Sequence, residues 1–151
     1  MNKKNLLIID DEQDILTILE VLFAKYVSQV FKAESGLMAL EIIKQNKIDC
    51  IICDINMPQM NGIEVIKKIR EMGHEMPIIF YSAYGNQEFM LKAGKYGVYD
   101  FISKPNIPQL EEVTINALKS GIDSLYDKKH QTLGEDDLSE YQKLLKKVDE
   151  K

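Results

Sequence analysis

The run Cys50-Ile51-Ile52-Cys53 is apolar without interruption and closes on a carboxylate, Asp54. A strand with one wet face alternates apolar and polar residues. A run without alternation is buried on both faces, which calls for helices on both sides of a largely parallel sheet. A loop containing Pro58 and Gly62 follows. A carboxylate at the carboxyl end of such a strand stands where open α/β sheets hold their ligands.

The rest of the chain agrees with that architecture. Leu6 to Ile9 forms a first buried strand that ends at Asp10-Asp11-Glu12. Ile15, Ile18, Leu19, Leu22, Phe23 and Tyr26 then recur at helical steps. Val27 to Ala33 is a weaker strand of mixed polarity, suited to a sheet edge. Ser35 is placed to cap a helix in which Leu37, Leu40 and Ile43 share a face. The central strand spans 48–54. A helix over 62–70 turns Val65, Ile66 and Ile69 inward and stops at Gly73. Pro77 to Tyr81 is a fourth strand ending at Ser82, followed by a short helix around 88–93. Val98 to Ile102 is a fifth strand ending at Lys104-Pro105. Asn106 and Pro108 open a last long helix with Leu110, Val113, Ala117 and Leu118 inside. Strands alternating with helices, without internal repeats, predict a doubly wound parallel sheet with right-handed crossovers.

Composition removes several function classes. A formal net charge of -5 argues against a general nucleic-acid surface. No apolar run approaches the roughly 18 residues of a membrane span, and the apolar stretch after Lys3-Lys4 is too short for a signal-peptide core. These features predict a cytoplasmic protein without membrane contact. Cys50 and Cys53 have a C-x-x-C spacing, but strand residues three apart point to opposite faces, so they read as buried strand residues. His74 and His130 read as surface loop residues.

Parallel strands bring their carboxyl ends to one edge. Asp10 and Asp11 follow strand one, Asp54 ends strand three, Ser82 ends strand four and Lys104 follows strand five. Crowded carboxylates repel one another unless a cation joins them, and hard oxygen donors suit Mg2+. A hydroxyl and an ammonium beside such a site can bind phosphoryl oxygens, and a carboxylate can itself accept the phosphoryl group. Asp54, central among these groups, is the candidate acceptor. Each residue has an ordinary structural explanation by itself: charges at a helix start, a turn serine, one lysine among many. Their joint placement at four strand ends favours a site.

IIDDE at 8–12, CDINMPQMNG at 53–62, IIFYSAYG at 78–85 and KAGKYGVYDFISKP at 92–105 together resemble the receiver domain of bacterial two-component response regulators, CheY-like proteins, over about 4–121. The resemblance implies a five-stranded sheet of order 2-1-3-4-5. It implies that Asp54 accepts a phosphoryl group from the phosphohistidine of a sensor histidine kinase or phosphotransfer protein. Mg2+ would be bound directly by Asp11 and Asp54, with Asp10 secondary and the backbone carbonyl of Asn56 completing the protein ligands. Ser82 and Lys104 would contact the phosphoryl group, the Lys104-Pro105 peptide would be cis, and Ser82 and Phe101 would form the switch. The implied output is a downstream protein or a second copy bound on the fourth helix, fifth strand and fifth helix, including Lys92, Tyr96, Tyr99 and Phe101. The chain would then be a signalling phospho-acceptor rather than an enzyme acting on an external substrate. Val98 stands where the family usually has alanine, away from the site.

Two other functions use related parts. A phosphohydrolase of the haloacid dehalogenase type needs a D-x-D motif, and Asn56 occupies the second acidic position. A flavodoxin-like carrier needs a hydroxyl- and glycine-rich loop after strand one, where this chain has Asp10-Asp11-Glu12. The receiver domain is expected over 1–121, with a helical extension over 122–151 and no separate output domain or direct nucleic-acid contact. In the extension, Ile115, Ile122, Leu125 and Tyr126 form a second apolar set. Residues 127–134 read as a helix end and linker. Leu138, Tyr141, Leu145 and Val148 mark one stripe of a last helix, with acids first and lysines late. Two readings of this extension stand side by side: a frayed, solvated tail, or a docking or dimerisation helix or the start of a link to an output domain.

Overall fold

The computed structural model describes residues 4–83 and 87–120. The expected extension over 122–151 lies outside the described residues. The elements in order are β1 (Asn5–Ile9), α1 (Gln13–Phe23), β2 (Gln29–Ala33), α2 (Gly36–Gln45), β3 (Cys50–Cys53), α3 (Gly62–Glu71), β4 (Ile78–Ser82), α4 (Gln87–Gly94), β5 (Asp100–Ser103) and α5 (Ile107–Ser120). The strands form one parallel sheet of order β2-β1-β3-β4-β5, as predicted. No helix among the described residues is long and apolar enough to cross a membrane.

The pleat sends successive side chains to opposite faces, and two separate cores result. Leu7, Ile9, Ile51, Cys53, Ile78 and Phe80 pack with Ala39 and Ile43 of α2 and Val65, Ile66 and Ile69 of α3. Leu6, Ile8, Cys50, Ile52, Ile79 and Tyr81 pack with Leu16, Leu19 and Phe23 of α1 and Leu110, Ala117 and Leu118 of α5. The two free cysteines fall in opposite cores. Burying each large aliphatic side chain contributes about 1.5–3 kcal/mol, so these two layers supply most of the drive to fold.

Local signals fix the helix starts. Ser35 Oγ accepts a hydrogen bond from the Met38 amide at 3.2 Å. Asn61 and Glu64 form a reciprocal capping box at the start of α3. Asn106 Oδ1 accepts from the Gln109 amide at 3.2 Å at the start of α5. Gly73, with φ of 90°, ends the turn after α3.

Two helix faces differ from the sequence expectation. Ile18 is 54% exposed and Leu37 is 59% exposed. In α1 the inward line is Leu16, Leu19 and Phe23, which rotates Ile18 outward. In α2 the inward line is Gly36, Ala39 and Ile43. Small residues bring α2 close to α3: a Cβ on Gly36 would lie 2.7 Å from Val65 Cγ2. Large apolar residues alone therefore misphased both helices. Tyr26 lies beyond α1, in a turn, packed near Phe23 with ring centroids 6.4 Å apart. Several strands are also shorter or shifted. β2 begins at Gln29 rather than Val27, and β3 covers Cys50–Cys53 rather than 48–54. β4 is Ile78–Ser82, and β5 is Asp100–Ser103 rather than Val98 to Ile102. Val27, Ile48 and Val98 are buried next to these strands without pairing in them. His74, expected on the surface, is half-buried in the turn after α3.

The register sets up the carboxyl edge of the sheet. Ile9 is opposite Cys53, and Cys53 is opposite Phe80. The ladder continues one residue further: the Asp54 amide donates to the Ile9 carbonyl at 2.9 Å, and the Asp10 amide to the Ala33 carbonyl at 3.0 Å. Asp10 and Asp54 therefore sit on adjacent strand ends. Gly62 lets α3 begin against this point; a Cβ there would lie 2.4 Å from the Asp54 carbonyl oxygen and 2.8 Å from Ile55 Cα. Gly62→Ala is expected to cost about 3 kcal/mol, because backbone rather than a flexible side chain must move. A urea unfolding series checks this, and a loss below about 0.5 kcal/mol would show that α3 can retreat freely.

Candidate functional site

The carboxyl edge of the sheet gathers the residues that the strand ends nominate. Asp10, Asp11 and Asp54 each offer a carboxylate oxygen, and these oxygens lie within 4.8 Å of one another. Asp10 and Asp54 are buried, whereas Asp11 is exposed at the mouth. Lys104 reaches in from the end of β5, with Nζ 2.8 Å from Asp10 Oδ2 and 3.1 Å from Asp54 Oδ2. The Lys104-Pro105 peptide is cis.

The second oxygen of each buried carboxylate is held by backbone. Asp10 Oδ1 accepts from the Glu12 amide at 2.9 Å, and Asp54 Oδ1 accepts from the Ile55 amide at 2.7 Å. Both side chains are fixed by donors at each end, leaving little rotamer freedom to lose on binding. Ionised, three carboxylates and one ammonium leave two net negative charges. The donors are all hard oxygens with a solvent-facing member, which fits a divalent cation such as Mg2+.

Burial is the main influence on Asp10 and pushes its pKa above the ordinary aspartate value. The Lys104 hydrogen bond and the Glu12 amide oppose that shift, and the Asp54 charge adds to it. Sequence reasoning placed like-charge crowding first; in the structure it is secondary to desolvation. Burial disfavours the Lys104 charge, but hydrogen bonds and charges from Asp10 and Asp54 outweigh it, so the lysine pKa rises. Lys104 Nζ also lies 5.7 Å from the centre of the Tyr81 ring. An ammonium over an aromatic face gains electrostatic attraction.

The other expected site residues are distributed around this cluster. Ser82 is buried at the end of β4, opposite Ser103, and its carbonyl accepts from the Lys104 amide at 3.1 Å. Asn56 is exposed in the loop two residues after Asp54. Phe101, on β5, is half-buried and packs with Phe89 and Tyr96 against the core under α2 and α3.

The sequence did not single out three supporting residues. Tyr81 borders the lysine, Gly62 admits α3, and Arg70 links α3 to the turn before β5. Arg70 donates from Nε to the Tyr96 carbonyl at 2.7 Å and from Nη2 to the Gly97 carbonyl at 3.1 Å. An aromatic beside Ser82 and a glycine opening a helix after Asp54 were signals for the first two. Arg70 carried none, because its partners are main-chain carbonyls.

A family model described as the response regulator receiver domain matches residues 6–128. The chain is 34% identical over 101 residues to the transcriptional regulatory protein ZraR of Klebsiella oxytoca, covering 67% of this chain and 23% of that protein. It is 32% identical over 105 residues to the sporulation initiation phosphotransferase F of Bacillus subtilis, covering 70% of this chain and 84% of that protein. Among solved structures, a response regulator receiver domain protein from Clostridium thermocellum superposes with a TM-score of 0.69 at 28% identity, covering 77% of this chain and 94% of that one. The chain thus spans about a quarter of the length of the ZraR relative.

The raised pKa of Asp10 has a definite pH consequence. The folded state holds the Asp10 proton more tightly than the unfolded chain. Stability from this residue therefore increases as pH falls from neutrality through the raised folded pKa toward the ordinary aspartate value. Asp10→Asn is expected to raise stability at pH 7 in metal-free buffer and to remove this pH-dependent gain. Urea midpoints at pH 7 and pH 5 for both proteins check it; a less stable variant at pH 7 would contradict the burial argument.

Proposed function

The chain belongs to the response regulator receiver family of two-component signal transduction, and we propose that it accepts a phosphoryl group on Asp54 from a phosphohistidine of a sensor histidine kinase or phosphotransfer protein. The observation that carries this reading is Asp54 itself. It is buried at the end of the central strand, fixed by the Ile55 amide, paired with Lys104 and flanked by two further carboxylates.

In the transfer, a carboxylate oxygen of Asp54 forms a bond to phosphorus as the phosphorus–nitrogen bond of the donor breaks. The electron pair returns to the imidazole nitrogen. Lys104 exchanges its contact with Asp54 for a phosphoryl oxygen while Asp10 continues to hold it. The Ser82 hydroxyl donates to another phosphoryl oxygen. Asp11 and Asp54, with Asp10 and the Asn56 carbonyl in support, would hold Mg2+, which when bound neutralises the charge gathering on the phosphoryl oxygens. Hydrolysis of the acyl phosphate resets Asp54, so the chemistry is self-modification and its reversal rather than turnover. The protein would act in the cytoplasm.

The phosphoryl group adds nearly two negative charges and strong acceptor oxygens. Ser82 moving toward it frees space beside β5, and Phe101 occupies that space in a second rotamer. The surface that changes is formed by α4, β5 and α5, with Lys92, Tyr96 and Tyr99. A downstream protein or a second copy would bind there. A near-complete switch from a 1:99 start needs about 5 kcal/mol of preference for the inward state.

Incubation with Mg2+ and a small phosphodonor should add one acid-labile phosphoryl group to the intact mass, and Asp54→Asn should abolish the gain. A variant that gains phosphate at the native rate would refute Asp54 as acceptor. Ser82→Ala should still accept phosphate but lose the amide shifts over 96–102 that phosphorylation produces in the native protein. Amide shifts confined to the active-site loops in the native protein would refute the Ser82–Phe101 coupling.

A further inference from the structure

Tyr81 stands on β4 immediately before Ser82, and the pleat turns it to the other face, into the layer under α1 and α5. It is 2% exposed and pairs in register with Ile102 of β5. Ile79, two residues earlier on the same face, fills this layer with an aliphatic side chain. Packing here does not by itself require a ring. What distinguishes position 81 is Lys104, whose Nζ lies over the Tyr81 ring, 5.7 Å from its centre.

The Lys104 ammonium has three donors. Asp10 and Asp54 accept from two of them, at 2.8 and 3.1 Å. The lysine side chain is only 14% exposed, so the ring face attracts the cation where little water competes, and such an attraction is then at its strongest.

The three partners differ in what the chemistry asks of them. Asp54 gives up its contact with the lysine when it becomes the acceptor. Asp10 keeps its contact, but a divalent cation in the site would draw on the oxygens of both acids. The Tyr81 ring carries no net charge, takes no phosphoryl group and offers its face to the ammonium throughout. Of the three, it alone is unchanged from the resting to the phosphorylated state.

We propose that Tyr81 is a positioning residue: its ring face holds the Lys104 ammonium in place while the contact with Asp54 is exchanged for one with a phosphoryl oxygen. This inference rests on the proposed acceptor role of Asp54. Tyr81 acts through Lys104 and not on the reacting atoms. Its hydroxyl takes no part, so phenylalanine should serve as well as tyrosine. An aliphatic side chain should fill the layer yet release the lysine.

The full-length native, Tyr81→Phe and Tyr81→Leu chains test this at saturating Mg2+ with acetyl phosphate as donor. The Phe chain should gain phosphate within about twofold of the native rate, and the Leu chain about tenfold more slowly. Carbon-13 relaxation of the Lys104 ε-methylene, measured with Mg2+ but without donor, supplies a readout that does not depend on transfer. It should report a restrained side chain in the native and Phe chains and a mobile one in the Leu chain. A residue that only fills the layer would lower the urea midpoint on substitution without freeing the lysine. A Leu chain as fast as native, a Phe chain as slow as the Leu chain, or a Lys104 methylene equally restrained in all three would overturn the proposal. If the Leu chain does not fold, Tyr81→Met, flexible and without a ring, takes its place with the same expectations. If the native chain gains no phosphate on Asp54, the proposed function fails, and the Lys104 relaxation alone then decides whether the ring holds the lysine.

Discussion

Among the described residues, Lys104 is the cation on which the buried carboxylates depend. It bridges Asp10 and Asp54, two buried carboxylates on adjacent strand ends. Removing the cation from a buried charged set leaves the carboxylates uncompensated. With the lysine present, both acids are paired, and a third carboxylate, Asp11, lies close by. The same ammonium is within reach of the group that Asp54 would receive. The resting ion pair thus stabilises the buried carboxylates, and under the proposed function the same ammonium would meet a phosphoryl oxygen.

That arrangement depends on the sheet. Parallel register places Ile9 opposite Cys53, and the next residue on each strand is an aspartate. A one-residue slip would turn the acids toward different faces and dissolve the cluster. Gly62 and Gly36 then bring α3 and α2 close, so that the loop after Asp54 is short and firmly backed. Arg70 extends this support to the turn before β5 by binding the carbonyls of Tyr96 and Gly97. The site and the β5 face are consequently mounted on one continuous layer.

Much of this was legible from residue order. Uninterrupted apolar runs specified a sheet covered on both faces, and polar residues at strand ends marked the edge where Asp10, Asp11, Asp54 and Lys104 gather. The phases of α1 and α2 were not legible from large apolar residues, because Gly36 and Ala39 pack inward in α2 and Leu16 leads the inner line of α1. Ile18 and Leu37 fit the apolar periods of their helices and are nevertheless exposed. The balance of forces on Asp10 also needed the structure. Sequence shows that acids are adjacent, but only three dimensions show that desolvation exceeds their mutual repulsion. Arg70 escaped notice because hydrogen bonds to carbonyls leave no signature in side-chain chemistry.

We propose that this edge of the sheet presents one acceptor, the Asp54 carboxylate, with its neighbours serving as ligands and counter-charges. Borohydride reduction of the protein after exposure to Mg2+ and a phosphodonor converts an acyl phosphate to the corresponding alcohol, which peptide mass spectrometry can locate. The predicted result is conversion of residue 54 to homoserine, with residues 10 and 11 unmodified. Conversion at Asp10 or Asp11, or at an acid away from this edge, would contradict it.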